Sequence, residues 1–239
     1  MKKIIITLLL LSFIFEAKES FKLIQNRQII THIVDLKKSD LMFFLKDDKG
    51  NIFQTFQNLN SYLVKKNKKL VFAMNGGMYM PNFMPQGLYV EKGNLITKTN
   101  RVKNAYGNFY MQPNGVFFIT KQKKAYIKPT TQFHIDKNID YATQSGPMLL
   151  IEGKIHHRFR KGSHNLHIRN GVGILPNGNI LFAISKKRIN FYDFASFFKN
   201  NGCKNALYLD GFVSKIYLPL KDKNFTNSRF GVIIGETQK

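Results

Sequence analysis

A chain of 239 residues and 27.7 kDa, 44% of it hydrophobic, is long enough to enclose a real core and too apolar for intrinsic disorder. Its 37 Lys+Arg against 14 Asp+Glu give a formal charge of +23, scattered through alternating apolar segments and not gathered in a tail. One cysteine, Cys203, excludes an internal disulfide framework and any zinc or iron–sulfur site that needs several thiolates.

In chain order, Met1-Lys2-Lys3 and the apolar run Ile4 to Phe15 have the charged and hydrophobic regions of a secretory signal. A membrane span needs roughly 20 apolar residues, and this run stops at Glu16. The expectation is a signal peptide over 1–20, cut between Ala17 and Phe21, and a single mature domain over 21–239. That domain would be soluble, without a transmembrane segment, and exported to the periplasm or beyond. Residues 1–20 hold three lysines and two glutamates, so their removal lowers the charge only from +23 to +22. Such a field concentrates anionic partners but selects no chemistry.

Strands are predicted over Ile29 to Val34 and Leu41 to Leu45, then a helix with Phe56, Leu59 and Leu63 on one face, then a buried strand over Leu70 to Met74. From Gly87 to Ile127 hairpins are expected, with turns at Glu91 to Asn94 and at Gln112 to Gly115. Further strands are predicted at Pro147 to Ile151, Gly171 to Leu175, Ile180 to Ser185 and Ala206 to Leu209. A second helix is expected after Asn190, with Phe191, Phe194, Ala195 and Phe198 on its apolar face and Gly202 at its end. Many strands, two helices and no strand–helix alternation predict an α+β fold of largely antiparallel or mixed sheets in one domain.

Carboxylates are scarce enough to weigh singly. Asp47, Asp48, Glu91, Glu152 and Asp222 sit beside turn residues, where they stay in water. Asp210 differs because it closes the apolar run Ala206-Leu-Tyr-Leu209 and precedes Gly211, so it leaves the core at a strand end, where burial demands donors or cations. Asn75-Gly76-Gly77 also follows a hydrophobic strand, and paired glycines let backbone amides approach a ligand. Gln144-Ser145-Gly146-Pro147 lacks the glycines of a nucleophile elbow. Arg169 precedes a strand and carries a fork suited to a phosphate, whereas Gly171-x-Gly173 has neither the third glycine nor the helix of a dinucleotide loop. The six histidines show no metal-ligand spacing; His156 and His157, if in a strand, would face opposite ways.

Taken in order, Asn75-Gly-Gly-Met-Tyr79, Gly87-Leu-Tyr-Val90, Asn114-Gly-Val-Phe117, Ala142-Thr-Gln-Ser-Gly-Pro147, Arg169-Asn-Gly-Val172 and Ala206-Leu-Tyr-Leu-Asp-Gly211 resemble the phosphodiester glycosidase family over roughly Leu70 to Tyr217. The resemblance implies an α+β fold with the site where these strand-end motifs converge. Many family members carry Asp-Gly-Gly-Gly-Ser-Ser where this chain has Asp210-Gly-Phe-Val-Ser-Lys215, so Phe212 and Val213 would narrow the site and bear on its sugar specificity.

A glycosidase normally uses two carboxyl groups, but a sugar 1-phosphodiester leaves as a weakly basic phosphate and hardly needs a proton. It needs a cation to hold the separating charge in a dry cleft. The expected assignment is therefore Asp210 as nucleophile or water-activating base and Arg169 on the phosphate. Asn75 and the amides of Gly76 and Gly77 would orient sugar or phosphate oxygens, and Ser145, Gly146 and Ser214 would line the pocket. The expected partner is an anionic sugar-phosphate or glycan of the cell envelope, not nucleic acid, because the aromatics follow strand periodicity suited to a core. No metal site or cofactor is expected, although a divalent ion could bridge Asp210 and the substrate phosphate. The alternatives are an exported module that binds anionic glycans without turnover, or a related hydrolase of cell-wall material.

Overall fold

The computed structural model describes residues 28–210, 212–219 and 228–238; the expected signal peptide and Gly211 lie outside them. Three antiparallel sheets form the described part of the chain. The first, of six strands, contains β1 (Ile29–Val34), β9 (Met148–Ile151), β10 (Lys154–Ile155), β11 (Asn170–Ile174), β12 (Ile180–Ser185) and β13 (Ala206–Asp210), in the order β1-β12-β11-β13-β9-β10. The second contains β2 (Asp40–Phe44), β3 (Lys69–Asn75), β14 (Ile216–Tyr217) and β15 (Ile233–Gln238), in the order β14-β3-β15-β2. The third contains β4 (Tyr89–Glu91), β5 (Asn94–Thr97), β6 (Gly115–Thr120), β7 (Ala125–Pro129) and β8 (Ile139–Ser145), in the order β5-β4-β8-β6-β7. With two α-helices among the described residues, α1 (Phe56–Lys65) and α2 (Phe191–Asn200), the fold is α+β in a single domain.

Period-two patterning assembles the core. Phe43 and Phe117 turn inward to a cluster shared by all three sheets, with Phe72, Val172, Phe182, Leu207 and Ile234, whereas their neighbours Phe44 and Phe118 serve outer clusters. Each helix closes one outer face. α1 lays Phe56, Leu59 and Leu63 on Leu70, Ala73 and Ile233. α2 lays Phe194, Ala195 and Phe198 on Leu149, Leu181 and Ala206. Caps set the helix starts: the Thr55 hydroxyl accepts from Asn58 N–H, and the Asn190 side chain accepts from Asp193 N–H.

Gly173 allows α2 to approach, since a Cβ there would meet Phe198 Cδ1 at 2.7 Å and Cys203 Sγ at 2.8 Å. The pair Gly171-x-Gly173 thus serves helix packing. The turn predicted at Gln112 to Gly115 is not a hairpin: the segment follows a 3₁₀ turn at Asn108–Tyr110 and leads into β6, which pairs with β7. His156 and His157 follow β10 outside any strand, and their rings stack at 4.7 Å.

Candidate active site

The first and second sheets meet through three side chains at strand ends. Asn75 ends β3, Asn170 begins β11 and Asp210 ends β13, opposite Asn170. The register shifts between Asn170 and Gly171, which places Gly171 opposite Tyr208; such an irregularity re-aims side chains at a strand end. Asn75 Nδ2 donates to Asp210 Oδ2 at 2.9 Å, and Phe212 N–H donates to Oδ1 at 2.9 Å. Asn170 locks the set: its Nδ2 donates to Asn75 Oδ1 at 2.9 Å, and its Oδ1 accepts the Asp210 N–H at 2.8 Å. Asn75 and Asn170 are fully buried and Asp210 is 4% exposed, so the carboxylate is shielded from water and met by donors instead.

The third sheet buttresses this arrangement from β8. Ser145 Oγ, fully buried, donates to Leu209 O at 2.6 Å, one residue before the carboxylate. Thr143 Oγ1 donates to Gly76 O at 2.9 Å. Ser214 Oγ donates to Asp210 O and lies 3.4 Å from Asn170 Oδ1. A Cβ on Gly146 would meet Asn114 Cβ at 2.6 Å, so this glycine is a packing requirement beside Ser145.

The glycine pair divides. A Cβ on Gly76 would strike Ile234 Cγ1 at 2.7 Å, and the Gly76 N–H donates to Val232 O at 2.8 Å. That bond corrects the expectation that both amides serve a ligand: β3 needs Gly76 to pass β15, and the fold uses its amide. Gly77 packs beside β8, where a Cβ would meet Thr143 Oγ1 at 2.9 Å.

Asp210 opens on a cavity of about 430 Å³. Met78, Tyr79, Met80, Pro81, Phe212 and Val213 form its apolar wall, and Gln86 and Asn108 add neutral polar groups. Asp210 is the single carboxylate among the described lining residues. Burial and the negative charge of Asp210 both push the Tyr79 phenol above its ordinary pKa.

Arg169 is close by but differently placed. It precedes Asn170 and is fully buried on the α2 side of the first sheet, its guanidinium 3.6 Å from the centre of the Phe191 ring. Nε donates to Ile189 O at 2.8 Å, Nη1 to Tyr208 Oη at 3.2 Å, and Nη2 to Asn165 O and Oδ1 at 2.9 and 2.6 Å. These bonds use four of five donors. Among the described residues no carboxylate forms an ion pair with it, and Arg169 is not among the described residues lining the Asp210 cavity. Burial pulls its pKa down, and the Tyr208 hydroxyl partly offsets that. Tyr208 in turn is raised by burial, lowered by Arg169 and raised again by Asp210, so it lies within the field of both charges.

The structure thus brings Asn75, Asp210 and Ser214 into contact, holds Ser145 directly behind Asp210, and sets Arg169 one residue from the network. Asn170 is the residue that sequence reasoning gave no role, although it stood in the quoted Arg169-Asn-Gly-Val172 segment; its polar amide just before a buried strand was the available signal.

A strand-end carboxylate gripped by amides where three sheets meet, beside a largely apolar cavity, is the candidate centre of this α+β scaffold. The phosphodiester glycosidase family model matches residues 68–229, and the chain belongs to that family. The uncharacterized protein YigE of Escherichia coli K12 is 40% identical over 147 residues, which is 61% of this chain and 57% of YigE, so the match spans little more than half of that relative. The catalytic domain of zebrafish N-acetylglucosamine-1-phosphodiester alpha-N-acetylglucosaminidase, auto-inhibited by its pro-peptide, has a similar fold with a TM-score of 0.60 at 15% identity, covering 90% of this chain and 85% of that one. A hypothetical protein from Synechocystis gives 0.55 at 14% identity, covering 88% and 59%.

Proposed function

We propose that this chain hydrolyses the bond between a sugar and phosphate in a glycosyl 1-phosphodiester of an anionic glycan or envelope component. The observation that carries the reading is the buried Asp210, its two oxygens fixed by Asn75 and Phe212 N–H at the edge of a substrate-sized cavity. A single carboxylate suits this reaction, because the phosphate leaves without a proton while Asp210 attacks the sugar or activates a water. Asn75 aims the carboxylate and the Gly77 amide faces substrate oxygens. Arg169, a buried cation that forms no ion pair with a described carboxylate, stabilises negative charge on the phosphate through Tyr208. We further propose export with removal of residues 1–20, which N-terminal sequencing of a periplasmic fraction checks.

The test incubates the purified chain with a panel of sugar 1-phosphodiesters, with and without chelator, and measures released sugar. Turnover lost with chelator identifies a bridging divalent ion. Asp210→Asn, which keeps shape and removes charge, should lower kcat at least about a thousandfold; near-normal turnover in a folded sample removes Asp210 from the chemistry. Arg169→Lys keeps charge but not the fork, and a rise in KM for the anionic substrate separates phosphate binding from a purely structural role, which would lower Tm alone.

A further inference from the structure

Two cavity-wall residues continue onto open surface: Phe212 is 99% exposed and Met80 is 47% exposed. A second stretch of rim, residues 98–108, is fastened at both ends to the same cavity. Asn100 Nδ2 donates to Gln86 O at 3.1 Å, and the buried Gln144 side chain accepts Asn100 N–H and donates to Asn100 O. At the far end Asn108 lines the cavity, as Gln86 does. Between these anchors Val102 and Tyr106 stand 53% and 102% exposed, interleaved with Arg101 and Lys103.

A single exposed apolar side chain means nothing. Two on the cavity wall and two on a basic segment tethered to it match a surface that sits at a lipid interface: apolar tips enter the headgroup boundary while Lys and Arg meet anionic lipid. The sequence-wide excess of 37 basic over 14 acidic residues has the sign that an anionic bilayer attracts. The cavity lining points the same way. Besides Asp210, its described lining offers Gln86, Asn108 and the Tyr79 phenol as polar side-chain groups, and that phenol already donates to Arg229 O, which leaves enough for one sugar ring and too few for a second polar moiety, whose hydroxyls would be buried unpaired. Met78 and Met80 are adaptable enough to follow a flexible hydrocarbon.

We infer that the mouth of the Asp210 cavity docks on an anionic bilayer, and that the substrate is a glycosyl phosphodiester whose aglycone is a lipid held by the apolar wall. The substrate half rests on the glycosidase reading; the docking half does not.

The experiment sediments the full chain with phosphatidylcholine vesicles that contain about a quarter phosphatidylglycerol, at low and at high salt. Binding should weaken with salt yet persist. The double variant Val102→Ser/Tyr106→Ser keeps every charge, and at these exposed positions a thermal melt confirms an intact fold. Its vesicle affinity should fall about tenfold. Docking is overturned if the variant binds as tightly as the parent, or if salt alone abolishes all binding, since that is the attraction of any basic surface to anions. Turnover of a lipid-linked sugar phosphate presented in the vesicles, exceeding that of a water-soluble analogue, supports the substrate half. A preference for the soluble analogue sinks that half. No sugar release from either, with vesicle binding intact, defeats the glycosidase reading while sustaining docking.

Discussion

A buried ion is tolerated only when donors replace its water, and at Asp210 those donors include two neutral amides, the Asn75 side chain and the Phe212 N–H. Asn170 touches both Asn75 and the Asp210 backbone, so it positions the carboxylate without itself meeting the substrate. Truncation by Asn170→Ala strands the Asp210 N–H and a bond of Asn75, and should cost about 2–3 kcal/mol of stability. A purely structural residue would show only that loss. Asn170 should in addition lower kcat more than it raises KM, and kinetics at a temperature where the variant is fully folded reads the difference. Asp210 was legible in the sequence because charge after an apolar run is conspicuous. Asn170 was not, because an uncharged amide before a strand looks the same whether it faces water or a carboxylate.

At the level of elements, the two helices declared themselves by one-sided aromatic spacing, and the Phe-rich strands by runs of apolar residues. β8 and β15 were harder to read. Their buried Thr143, Gln144, Ser145, Glu236 and Thr237 look like loop residues until tertiary partners pair them. Gln144 binds the Leu88 and Asn100 backbones and Thr130, contacts invisible to any local pattern. Gly171-x-Gly173 was correctly rejected as a nucleotide loop, but its use emerged only when α2 was seen lying on it. Gly173→Ala should therefore cost about 1–3 kcal/mol, because both Phe198 and Cys203 must yield. Urea denaturation measures it, and an unchanged midpoint would mean that α2 is free to slide.

For the whole molecule, stability should fall in acid for two reasons of the same sign. His32 on β1 meets the buried Glu236 on β15 at 2.5 Å, joining the first sheet to the second. Burial pushes Glu236 up, but hydrogen bonds from His32 and Ser39 outweigh it and hold the carboxyl below its ordinary value. The stabilisation this gives is present above the unfolded carboxyl pKa and is lost as pH falls through the folded one. His156 is buried, with Nε2 donating to Gln112 O and Nδ1 accepting Arg158 N–H, and burial lowers its pKa to about 4. The unfolded chain binds that proton at about 6.5, so stability drops between about pH 6.5 and 4, by up to about 3 kcal/mol. Denaturation at pH 7 and 4.5 should show this, and His156→Gln should flatten the slope between them.

The convergence of β3, β8, β11 and β13 on one carboxylate also has a kinetic meaning. Residues 75, 145, 170 and 210 come from across the chain, so no fragment or early hairpin can assemble the constellation, and every closure that joins them is long-range. During renaturation, the proposed activity should therefore return last, after the secondary structure seen by circular dichroism, and its appearance would be a clock for the completed topology.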